Sequence, residues 1–124
     1  PVFRKQGGGV IINIGSTAGL RPRPGLSAYN ATKGAVHTLT KGLAGELAPD
    51  HIRVFAIAPV ATETPLLPSF LGPAAGMREK FIATIPLGRL AEVADIANVA
   101  LFLASADAEF MTGNIVEVDG GRCV

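Results

Sequence analysis

Apolar residues run almost unbroken through Val10-Ile11-Ile12-Asn13-Ile14 and again from Ile52 to Ile57. Neither run alternates with polar residues, so each reads as a strand covered on both faces, as in a parallel sheet. The pattern predicts strands over 10–15 and 52–57, separated by a loop to about Ser27 and a long helix from about Ala28 to Leu47. A short helix near 76–85, a helix over 92–105 and a strand over 114–118 follow. Strands alternating with helices predict a parallel α/β sheet. Pro59, Pro65, Pro68 and Pro73 punctuate the stretch from 59 to 76, where no element is predicted. Connections this long inside compact domains are usually functional or disordered, so a mobile lid would sit there.

Composition narrows the class without naming a chemistry. The 124 residues are 48% hydrophobic and 17% charged, which suits one globular domain and excludes disordered or fibrous classes. Net charge is +1 and the Lys and Arg residues are scattered, so no nucleic-acid partner is expected. No apolar run is long enough for a transmembrane helix, and Pro1–Gln6 lacks the apolar core of a signal peptide. The single cysteine, Cys123, excludes an internal disulfide and fits a reducing, cytoplasmic location. His37 and His51 form no cluster with metal-ligand spacing, so no metal is assigned.

The candidate chemistry lies in Ser16, Tyr29 and Lys33. Ser16 stops the first strand after Gly15, while Tyr29 and Lys33 are four residues apart and share one face of the following helix. Taken singly, each has an ordinary reading: a strand terminator, a half-buried aromatic, a solvated helix cation. Their joint spacing between the right elements points to proton transfer at a carbonyl or alcohol. A phenol is a poor base at neutral pH. An ammonium about 5 Å away stabilises a phenolate by roughly 3 kcal/mol at an effective dielectric of about 20. In this reading Tyr29 is the general acid/base, Lys33 favours its phenolate, and Ser16 hydrogen-bonds the substrate oxygen.

With these residues stand Asn13-Ile14-Gly15-Ser16, Tyr29-Asn30-Ala31-Thr32-Lys33-Gly34-Ala35, Arg53–Pro59, Ile85-Pro86-Leu87-Gly88-Arg89, Thr112-Gly113 and Val118-Asp119-Gly120-Gly121. In this order they resemble the short-chain dehydrogenase/reductase family, from its catalytic region to its C-terminus. The resemblance implies a Rossmann-type parallel sheet with helices on both faces, of which only the C-terminal half, about three strands, is present. Residues 1–124 are thus expected to be the C-terminal half of a single NAD(P)-binding domain. In that topology both other strands lie on one side of Val10–Ile14, leaving an apolar edge open. Nothing corresponds to the family's glycine-rich phosphate loop; Gly7-Gly8-Gly9 precedes a strand and reads as a turn.

The resemblance further implies an oxidoreductase that interconverts an alcohol and a carbonyl with NAD or NADP on a small-molecule substrate. It implies a homo-oligomer, dimer or tetramer, and gives Lys33 a second role on the nicotinamide ribose beside Tyr29. Pro59, Thr62 and Thr64 match the segment that contacts the cofactor, with turn hydrogen bonding as the alternative for both threonines. Val60 stands where the family has glycine, and Phe55 where it usually has asparagine. Arg21 and Arg23 lie beside the expected substrate site, either on a rigid solvated loop or facing an anionic substrate. The alternative for the whole is a catalytically inactive partial chain with only an oligomer-contact role. Even under the enzyme reading, residues 1–124 alone are expected to be inactive.

Overall fold

The computed structural model describes residues 1–72 and 75–124, so Pro73 of the proline-rich stretch lies outside the described residues. Three strands, β1 (Gly9–Ile14), β2 (Ile52–Pro59) and β3 (Ile115–Val118), form one parallel sheet in the order β1-β2-β3. Val10 pairs with Arg53 and Ile14 with Ile57, while Ala56 to Pro59 pair with Ile115 to Val118. β2 is therefore central, and Val54 through Ala58 are completely buried. β1 has no partner on its other edge among the described residues, and Ile14 at its end is 54% exposed.

Helices cover both faces, and side-chain alternation along β2 decides which residue meets which helix. Ile52 and Val54 pack with Ala44 of α2 (Ser27–Leu47), joined by Ile11 and Leu47; α1 (Val2–Gln6) adds Phe3. Phe55 and Ile57 point the other way, onto Leu103 of α5 (Val93–Ala104), with Val10, Ile12, Val116 and Val118. Fully burying a side chain such as Phe55, Ile57 or Leu103 stabilises by about 1.5–3 kcal/mol. Arg53 is the polar exception in β2. Its guanidinium donates to the carbonyls of Leu103 (2.7 Å), Ser105 (3.0 Å) and Ala108 (2.9 Å), which ties the end of α5 to the turn that follows it. Thr112-Gly113 closes the same corner. Thr112 Oγ1 accepts from Val54 N–H at 3.0 Å, and Gly113 N–H donates to Val54 O at 2.7 Å.

The proline-rich stretch departs from the pattern reading. It contains α3 (Leu67–Leu71), followed by α4 (Met77–Ile82), and Val60, Leu67 and Leu71 within it are buried. Val60, Leu67, Leu71, Phe81, Ile85 and Leu90 form a separate buried cluster beside the sheet. A five-residue helix that opens with Leu67-Pro68 is too short to show a helical period, although Pro suits a first turn. For the same reason the five-residue α1 carries no signal in the sequence. Gly7 is its left-handed cap (φ 81), so Gly7-Gly8 is a turn, while Gly9 already belongs to β1. β2 runs two residues beyond its predicted end, to Pro59.

Candidate active site

The carboxyl ends of β1 and β2 open onto one side of the sheet. After Ile14, Gly15 N–H still donates to Ile57 O at 2.7 Å, and then the chain leaves the sheet. Ser16 is extended and caps a 3-10 turn, Thr17–Gly19, its Oγ accepting from Ala18 N–H at 3.1 Å. The cap uses the oxygen as acceptor and leaves the hydroxyl hydrogen to donate. The strand-ending role of Ser16 is therefore compatible with donation to a ligand in the cavity.

An imidazole holds this turn from below. His37, on the sheet-facing side of α2, is buried, and its Nε2 accepts from Ser16 N–H at 3.4 Å. Glycines make room for the ring on two sides. A Cβ on Gly15 would lie 2.3 Å from Nε2, and one on Gly19 would lie 2.7 Å from Cε1. Burial, then the charges of Lys33 and Lys41, push the imidazole below its ordinary pKa, with Glu117 acting weakly the other way. The neutral ring accepts at Nε2, so its hydrogen sits on Nδ1, which is buried without a partner among the described residues.

Tyr29 and Lys33 come from the first turns of α2, one turn apart. Asn30 anchors the start of that helix by donating to Arg23 O at 2.8 Å, tying down the arginine-proline loop. Tyr29 is 39% exposed at the cavity. Lys33 Nζ donates to Ile14 O at 3.0 Å and lies 5.8 Å from the centre of the Tyr29 ring. The strand end thus fixes the lysine through one N–H and leaves two others available.

At the end of β2, Val60 N–H donates to Val118 O at 3.2 Å and the Val60 side chain is buried. Its φ is not positive, so valine in place of glycine leaves the backbone path unstrained. Thr62 Oγ1 donates to Val60 O at 2.9 Å, the turn hydrogen bond considered from sequence, and Thr64 O accepts Leu67 N–H at 3.0 Å. Ser16, Tyr29, Lys33, Pro59, Thr62 and Thr64 nevertheless all line one cavity of about 230 Å³. The cavity also collects residues that sequence reasoning did not place there, among them Phe70, Phe81 and Arg122. They lie 41 or more positions beyond Tyr29 in the chain, and no local spacing links them to it.

The C-terminal tail closes the wall. Asp119 accepts from Gly121 N–H at 2.9 Å and from Cys123 N–H at 2.7 Å, and Leu87 N–H donates to Gly120 O at 3.0 Å. Asp119-Gly120-Gly121 is therefore a capped turn against the Ile85–Leu87 loop. A Cβ on Gly120 (φ 62) would meet Ile85 Cγ2 at 2.7 Å. Burial and the neighbouring Asp119 push the Cys123 thiol up to about 12. One ligand atom each from Glu117, Asp119 and Cys123 falls within 4.8 Å of the others, but both Asp119 oxygens already serve the turn.

The family description "Enoyl-(Acyl carrier protein) reductase" matches residues 1–122. The 4-formylbenzenesulfonate dehydrogenase of Comamonas testosteroni is 47% identical over 124 residues, covering 98% of this chain and 49% of that protein. Among solved structures, the 3-ketoacyl-(acyl-carrier-protein) reductase of Brucella melitensis, complexed with NADH, is 50% identical. It superposes with a TM-score of 0.91 over 98% of this chain and 49% of its own. A gluconate 5-dehydrogenase from Burkholderia cenocepacia, in complex with NADP and tartrate, is 37% identical with a TM-score of 0.91, covering 98% and 47%. The chain spans about half the length of the relatives it matches. With a parallel sheet whose carboxyl edge gathers Ser16, Tyr29 and Lys33 into one cavity, the chain belongs to the short-chain dehydrogenase/reductase family.

Proposed function

We propose that residues 1–124 form the C-terminal half of one NAD(P)-binding domain, in an enzyme that interconverts an alcohol and a carbonyl. The observation that carries this reading is the single cavity shared by a half-exposed phenol, a strand-end hydroxyl and an anchored ammonium. A bound nicotinamide cofactor supplies the hydride for reduction and accepts it in oxidation. Lys33 fits the nicotinamide end of such a group, because one N–H is fixed on Ile14 O and the others can hold ribose hydroxyls. Pro59, Thr62 and Thr64 would line the same end. Cofactor complexes of the Brucella and Burkholderia relatives support this choice of group.

The chain's own residues handle the oxygen and its proton. As the carbonyl oxygen gains negative charge, Ser16 donates a hydrogen bond to it and Tyr29 O–H delivers the proton; in oxidation Tyr29 takes that proton back. The Lys33 ammonium favours the phenolate left behind. His37 keeps the Ser16 turn in place through the serine N–H.

The test is Tyr29→Phe in the full-length protein, which keeps the ring and removes only the exchangeable proton. Turnover of carbonyl substrates with NADH or NADPH should fall by roughly two to four orders of magnitude, with cofactor affinity retained. Near-normal kcat in that variant would refute the assignment.

A further inference from the structure

Three arginines converge on the wall of the same cavity: Arg21 and Arg23 from the loop before α2, and Arg122 from the C-terminal tail. They are tied together through backbone and aromatic faces. Arg21 donates to Arg122 O, and Arg23 Nη1 donates to Phe70 O at 3.3 Å. The Arg23 guanidinium lies 4.8 Å from the centre of the Phe70 ring and 5.7 Å from that of Phe81, while Arg122 lies 4.8 Å from Phe81. Phe70 and Phe81 meet edge to face at 6.0 Å.

None of the ion pairs among the described residues involves Arg21, Arg23 or Arg122. Those pairs are Arg4–Asp50, Glu63–Arg78 and Arg89–Asp95. Asp119 is the carboxylate nearest in effect to Arg122, and its oxygens serve Gly121 and Cys123 N–H. Arg122 is held below the ordinary guanidinium pKa, first by burial and then by Arg21 and Arg23, with Cys123 and Asp119 opposing. Three cations crowded at a half-dry aromatic wall repel one another, and an anion placed among them removes that cost. Arginine's planar fork suits an oxyanion, and the phenyl rings with Leu67 suit an apolar body.

We infer that the substrate is a carbonyl compound, or its alcohol, with an apolar body and an oxyanion group (carboxylate, sulfonate or phosphate) that Arg21, Arg23 and Arg122 receive. The inference rests on the alcohol–carbonyl reading above for its reacting end only. The oxyanion sets which end enters first: the charged group docks at the arginines and the carbonyl reaches Ser16 and Tyr29. A neutral analogue loses that orientation and leaves the cations unpaired.

The test uses the full-length protein with 4-carboxybenzaldehyde and its methyl ester, 4-formylbenzoate methyl ester, as neutral counterpart. The expected kcat/KM preference for the acid is about tenfold or more, expressed mainly in KM and shrinking as salt is raised. Arg21→Gln and Arg122→Gln should each reduce the preference toward one, and Arg122→Lys should restore part of it. Calorimetric titration with benzoate and benzamide reads the same cluster without turnover, and benzoate should bind more tightly only where the arginines are intact. Equal kcat/KM for acid and ester, or a preference that survives both glutamine variants, overturns the inference. If Tyr29→Phe kept full turnover while benzoate binding still required the arginines, the proton-transfer assignment would fall and the anion site would stand.

Discussion

Gly15 and His37 offer a direct measure of how tightly the Ser16 turn is built. An alanine at 15 puts its Cβ 2.3 Å from His37 Nε2, 2.8 Å from Cδ2 and 3.2 Å from Ile57 O, about 1 Å inside ordinary contact at the closest point. Gly15 does not have a positive φ, so the backbone tolerates alanine and the whole penalty is steric. The ring is also close to Gly19, where a Cβ would come within 2.7 Å of Cε1, so it has little space for retreat. Forcing one methyl into such a site costs typically about 1–3 kcal/mol. His37→Ala alone should also destabilise, by about 1–3 kcal/mol, through lost packing and an unpaired Ser16 N–H. In the double variant the new methyl enters space that the imidazole vacated, so the two losses should not add. A favourable coupling of at least about 1 kcal/mol is expected from urea midpoints of the four full-length proteins at one concentration. Additive losses, within about 0.5 kcal/mol, would show that His37 does not fill the space beside Gly15.

The remaining expectations concern single groups. Lys33→Met should lower turnover and weaken NAD(P)H binding together, read by cofactor titration; unchanged cofactor affinity would remove the ribose role. His37 has a folded pKa below its ordinary 6.5, so the stability linked to it is complete above that pH. It should be lost as pH falls below 6.5 toward the folded value, and a His37→Gln variant should show a flatter acid limb in denaturation midpoints; an identical limb would contradict burial of the neutral ring. Cys123, pushed up to about 12, should remain a thiol at pH 8 and alkylate with iodoacetamide far more slowly than a free cysteine. Labelling at the rate of the free amino acid would place the thiol in solvent.

The strands and long helices were legible because burial on both faces writes itself into composition. Val10–Ile14 and Ile52–Ile57 had to be covered, and α2 and α5 do cover the two faces of β2. Ser16, Tyr29 and Lys33 were legible for a related reason: a strand end and a helix start lie close in sequence, so spacing encodes their proximity. The short helices α1 and α3 escaped, since five residues carry no period and their stability comes from contacts such as Leu67 and Leu71 in the satellite cluster. The anchoring of Lys33 on Ile14 O, the imidazole beneath Ser16 and the meeting of Arg21 with Arg122 across 101 positions were decided by the tertiary structure alone. Local sequence fixes which groups a segment carries; only the parallel sheet, by bringing the ends of β1, β2 and β3 to one edge, determines which of them face each other.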